Sequence, residues 1–166
     1  WSSNHLLARV LHDGDDRVAS MAADALWELW FRGGTPSQNQ CLQEISHLSD
    51  PAAAMRDLNR LIQQAPRFAE ALNQRGILHF QRGDFRRSLE DCERVLELNP
   101  HHFGAQCGIG HCYLKLNMTR AAAGSYRRAL EINPRLTHLD EVLRGLEETT
   151  GETAAELGCA RPTPVT

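Results

Sequence analysis

The chain has 166 residues, 42% of them hydrophobic, with 12 Gly, 7 Pro and a formal net charge of −3, a length that suits one domain or one repeat array with a real core. No run of 18 apolar residues is present, so no membrane insertion is expected, and aromatics at 6% without long β-branched runs argue against an all-β fold. The slightly negative balance gives no reason to expect nucleic acid as a partner.

Residues 1–34 are expected to form a helix pair, roughly 3–12 and 16–31, turned by His12-Asp13-Gly14-Asp15-Asp16. The acids sit well for the N-terminus of the second helix. Trp27, Trp30 and Phe31 crowd that helix. They either pack against 35–64 or form a docking patch for missing upstream chain or another subunit. Gly33-Gly34 ends the pair, and Thr35-Pro36-Ser37-Gln38 then combines an N-cap, a first-turn Pro and a capping-box partner. Asp50-Pro51 starts the next helix in the same way, and Pro66 closes a unit spanning 35–68.

In 69–81 the apolar positions Ala71, Leu72, Ile77, Leu78 and Phe80 lie near helical spacing. Gly83-Asp84 ends this helix and starts another, whose stripe is Phe85, Leu89, Cys92, Val95 and Leu96. Asn99-Pro100 stops it, because Pro biases the preceding residue away from the α region. A similar unit occupies 103–136. Leu139, Val142, Leu143 and Leu146 mark a capping helix over 137–149, and 150–166 reads as a flexible tail.

The chain repeats itself. Pro66, Pro100 and Pro134 are spaced by 34, and Leu-Glu-Leu-Asn-Pro at 96–100 returns as Leu-Glu-Ile-Asn-Pro at 130–134. In the same frame Gly76 meets Gly110, Ser88 meets Ala122, and Gly83-Asp84 meets Asn117-Met118. Asn tolerates the left-handed conformation, so the last exchange is mild. The pattern resembles the tetratricopeptide repeat, strongly over 69–102 and 103–136 and weakly over 35–68, where Leu42 and Ser49 replace small and turn residues. Residues 1–34 look like a degenerate member or, equally, a HEAT-type pair. Arg75 stands where the family usually has Leu. The resemblance implies an all-α fold, a right-handed superhelical solenoid of stacked antiparallel helix pairs closed by a C-terminal capping helix.

Motifs for chemistry are missing. There is no phosphate-binding Gly-rich loop, no Gly-x-Ser-x-Gly and no His-Glu-x-x-His, so no catalytic residue and no cofactor is expected. Cys107 and His111 share a helical face, with Cys112, His101 and His102 nearby, but without paired Cys-x-x-Cys spacing no metal site is expected. Five cysteines (Cys41, Cys92, Cys107, Cys112 and Cys159) at irregular spacing read as reduced thiols, hence a cytoplasmic or other reducing compartment. Trp1 in first place is expected of a fragment, a processed product or an unrecorded start, so a targeting sequence could precede it.

The resemblance implies that first helices line a concave groove that takes peptide segments. Helical spacing then selects Asn39 and Gln43, with His47, in the first unit; Glu70, Asn73, Gln74, Ile77 and Gln81 in the second; and Cys107, His111 and Lys115 in the third, where Gly104 and Gly108 leave room. One subfamily uses Lys, Asn and Arg in this groove to clamp a C-terminal carboxylate. The matching positions here, Asn39, Gln43, Gln74, Gly104 and Gly108, hold no cation. The expected function is a non-catalytic scaffold binding a peptide or partner protein. Two alternatives are a regulatory or substrate-capture segment of a longer enzyme, and a metal- or redox-responsive helical module.

Overall fold

The computed structural model describes residues 2–150, and every regular element among them is a helix. In chain order these are α1 (Ser2–Val10), α2 (Asp16–Phe31), α3 (Pro36–Ser46), α4 (Pro51–Gln64), α5 (Ala69–Gln81), α6 (Phe85–Leu98), α7 (Phe103–Lys115), α8 (Thr119–Ile132) and α9 (Thr137–Thr150). The tail expected beyond residue 150 lies outside the described residues.

Local chemistry sets the boundaries. Thr35 and Gln38 form a reciprocal capping box on α3, and the Asp50 carboxylate accepts from the N–H groups of Ala52 and Ala53 at the start of α4. The α5–α6 turn places Gly83 at φ +78°, and 34 residues later Asn117 takes φ +58° in the α7–α8 turn. Asn is the non-glycine residue best suited to that region. Asn99 and Asn133 each stop a helix and turn back to accept from the backbone N–H two residues on.

Close pairing follows side-chain size. Gly76 lets α5 lie against α6, where the Ser88 hydroxyl donates to the Gly76 carbonyl at 2.8 Å. Gly110 does the same for α7 and α8, with the fully buried Tyr126 ring against its backbone. Leu42, fully buried in the corresponding place of α3, keeps α3 and α4 less closely paired. Arg75 packs as an ion-pair anchor: its guanidinium grips Asp91 of α6 with two hydrogen bonds and donates to Asn59 of α4. Leu139 of α9 is fully buried against Tyr126 and Ala129, which covers the last face of the array.

The N-terminal pair does not continue this stack. Leu11, Ala22, Leu26 and Trp30 form one core with Phe103, joined by Ile132 and Leu136. Trp30, 5% exposed, stacks on the His102 ring at 4.1 Å, and Trp27 meets His102 and Phe103 edge-on. Arg135 donates to the Asp16 carboxylate and to the Asp13 carbonyl, pinning the pair to the far end of the array. Of the three aromatics, Phe31 alone packs with the 35–64 core. The alternative in which Trp27 and Trp30 pack against 35–64 is therefore corrected: aromatic and ionic contacts carry the pair across to α7 and the α8–α9 turn.

His102 is the joint. Its Nδ1 accepts from the Ala105 N–H at 3.1 Å and caps α7. The proton therefore sits on Nε2, which donates to Glu70 Oε2 at 3.0 Å. Glu70 is fully buried, and its other oxygen accepts from Asn73 and Gln74.

Two consequences follow for stability. A Cβ at Gly110 would fall 2.4 Å from the Tyr126 ring, while one at Gly76 meets its neighbours at 3.4 Å or more. Gly110→Ala should cost about 1–3 kcal/mol, and Gly76→Ala should be neutral or stabilising by up to about 1 kcal/mol, read as urea midpoints. His102→Ala should cost about 3 kcal/mol through a lost cap and an orphaned buried carboxylate, and His102→Asn should return about 1 kcal/mol of it by restoring the cap. Full restoration by Asn would show that the Glu70 and Trp30 contacts contribute nothing.

Candidate functional site: a concave face shared with α2

The first helices α3, α5 and α7 form one face, and α2 lies on it. Trp27 borders a cleft of about 650 Å³ against α3, lined also by Phe31, Pro36, Asn39 and Gln43. The same ring borders an apolar recess of about 250 Å³ between α5 and α7, lined by Ile77, Phe80, Cys107, Gly108 and His111. A third, smaller cleft between α3 and α5 holds Gln74, Ile77 and Gln81. Glycine makes the floor. The Trp27 ring edge would meet a Gly104 Cβ at 2.5 Å, so only glycine admits it there.

The expected groove residues divide accordingly. Ile77, 43% exposed, and His111 open on the recess, with Cys107 half-buried in its wall. Gln43 is exposed in the α2–α3 cleft; Asn39 lines it too, but its side-chain oxygen accepts from the Gly34 N–H. Gln81 and Lys115 are exposed, as is His47. Glu70 is not available. It is fully buried, with Asn73 and Gln74 tied to its carboxylate; Asn73, itself buried, still lines the recess. The place of Glu70 as a ligand-facing residue is corrected, because its carboxylate is closed off by His102.

Trp27, Phe80 and His102 were outside the expected set. His102 did carry a signal. In the 34-residue frame it shares its position with Phe68 and Leu136, and a polar ring stands in an apolar slot. Trp27 stood out only as one of three crowded aromatics; its seat at Gly104, 77 residues away, left no trace in the spacing.

The electrostatics of the recess are muted. Desolvation, then the nearby His138, holds His111 below the ordinary imidazole range, so the ring is neutral at pH 7. It shares a 2.6 Å hydrogen bond with the Tyr126 hydroxyl, which burial keeps protonated. Burial pushes the Cys92 and Cys107 thiols up to about 12, and it raises Cys41 and Cys112 as well. Among the described residues no group of three or more His, Cys, Asp or Glu is placed to hold a metal ion, and no helix is long and apolar enough to cross a membrane. At pH 8 a thiol with that pKa is thiolate in only about one molecule in ten thousand. Cys92 and Cys107 should resist iodoacetamide at pH 8 in the native protein and react in denaturant, as read by mass spectrometry. Fast native alkylation of either would show that the α5–α7 wall is open.

The chain is similar to known helical-repeat proteins. The tetratricopeptide repeat family model matches residues 69–102, and a second model of that family matches 103–136. A TPR repeat-containing protein of Rhizobium etli is 29% identical over 135 residues, covering 79% of this chain and 66% of that protein. Anaphase-promoting complex subunit 3 of Schizosaccharomyces pombe is 32% identical over 81 residues, 49% of this chain and 12% of that protein. The chain thus spans 66% and 12% of these relatives' lengths. Among solved structures, the Sgt2 TPR domain from Aspergillus fumigatus superposes with a TM-score of 0.64 at 16% identity, over 80% of this chain and 89% of that one. The first TPR of Spaghetti (RPAP3), bound to an HSP90 peptide, gives 0.58 at 18% identity, over 70% and 89%. Residues 69–102 and 103–136 thus match as two tetratricopeptide repeats.

Proposed function

We propose that the chain is a non-catalytic interaction scaffold that holds a segment of a partner protein on its concave face. The observation that carries this reading is the apolar recess between α5 and α7, open to solvent at Ile77 and His111 and floored by glycine. A recess of about 250 Å³ accommodates one or two bulky apolar side chains and is small for a drug-sized ligand. Gln43 in the α2–α3 cleft and Gln81 in the α3–α5 cleft present exposed polar groups. They offer hydrogen bonds to a peptide backbone without a strong demand on its sequence. The neighbour that holds an HSP90 peptide supports peptide binding by this kind of fold. Among the described residues this face holds no cluster of cations, so the recognised feature is an apolar side chain rather than a terminal carboxylate.

Ile77→Glu places a charge in the recess without disturbing the core. The full chain carrying it should keep its helical circular dichroism and lose about tenfold or more in partner capture from the source lysate, as expected for a central apolar anchor. Arg86→Glu, on the exposed side of α6, should capture as the wild type does. Equal capture by the wild type and Ile77→Glu would place the binding surface elsewhere.

A further inference from the structure

We propose that α2 is a built-in occupant of the concave face, and that the partner element which displaces it is an amphipathic helix with an acidic residue near its start and two aromatic side chains three residues apart. This rests on the concave face being the binding surface, and it names the class of segment that face takes.

The seats of α2 define that class. Trp27 lies over Gly104, where a Cβ would stand 2.5 Å from the ring. Trp30 stacks on the His102 imidazole. Asp16 meets the Arg135 guanidinium. Asp16 and Trp27 are 11 residues apart, about three helical turns and about 16 Å along one face. Trp30 follows three residues on, beside Trp27. The three seats therefore read an acid and an aromatic pair on one side of a helix, and nothing in them requires that helix to be covalently attached.

Three observations mark α2 as releasable. Its hold on the repeats is one apolar cluster, Leu26 and Trp30 with Phe103, together with these seats, whereas α5 to α8 pack along their lengths. The N-terminal pair leaves Leu6, Val18 and Met21 exposed, with Met21 at 70%, so its outer side buries nothing. Its link to α3 contains Gly33-Gly34, a short segment able to take up a backbone change. Trp27 also forms a wall of both the α3 cleft and the α5–α7 recess, so its withdrawal joins them into one groove. A partner helix then binds with an affinity reduced by the fraction of chains in which α2 is released.

Hydrogen exchange on the wild-type full chain is the first test. Amides of α2 should exchange about a hundredfold or more faster than those buried in α5–α8, through an opening that leaves the repeats folded. Exchange of α2 and α5–α8 together, only through global unfolding, would overturn the proposal. The second test titrates a labelled synthetic peptide of residues 15–32 into the full chain. Trp27→Ala/Asp16→Ala, which weakens the attached α2 and leaves every seat intact, should bind it about tenfold or more tighter than the wild type, and adding Gly104→Leu should abolish that binding. Equal binding, or none, by a double variant that keeps its helical dichroism would overturn the proposal. If the double variant does not fold, the exchange experiment decides alone. A negative result in either leaves the Ile77→Glu capture readout standing, because that readout does not depend on α2 release.

Discussion

A carboxylate buried without solvent must be matched by donors, or the fold around it fails. Glu70 is such a group, and the donor that reaches it from outside its own helix is the His102 ring. That ring has no spare capacity. One nitrogen caps α7, the other serves Glu70, and its face carries Trp30. The two repeats and the N-terminal pair therefore meet at one imidazole. Changing its chemistry would disturb a helix start, a buried charge and an aromatic stack together.

Around this joint the molecule combines two kinds of order. The repeats are periodic: Gly76 and Gly110 set helix approach, Gly83 and Asn117 set turns, and Asn99 and Asn133 set stops. Each interface resembles the next, so local rules suffice to build the array. The α1–α2 pair is aperiodic. It crosses to residues more than a hundred positions away, as Arg135 reaching Asp16 and Asp13, 119 and 122 positions off, shows. This divides a surface that would otherwise be one groove, and it leaves apolar room on both sides of Trp27.

The difference explains what the sequence made legible. Helix starts and stops were readable because Pro, Gly, Asn and Asp act on their immediate neighbours. The 34-residue frame was readable because those signals recur. Ile77 and His111 were found as open groove positions because helical spacing alone decides which side of α5 and α7 they occupy. Glu70 satisfies the same spacing and yet is closed, because its carboxylate is buried against His102 from the start of the next repeat. The Trp30–His102 stack leaves no periodic trace, so spacing could not disclose it. Arg75 shows the same limit on a small scale: it departs from the family's Leu, and its partners Asp91 and Asn59 are 16 residues away on either side.

The central claim is that the N-terminal helix pair sits on the concave face of the repeats, held through His102. Nuclear Overhauser spectroscopy on the full chain measures this directly. Cross-peaks from the Trp27 indole to the Gly104 Hα protons and from the Trp30 indole to the His102 ring are expected. Their absence, with α2 resonances coupled only to α3 and α4, would contradict the account.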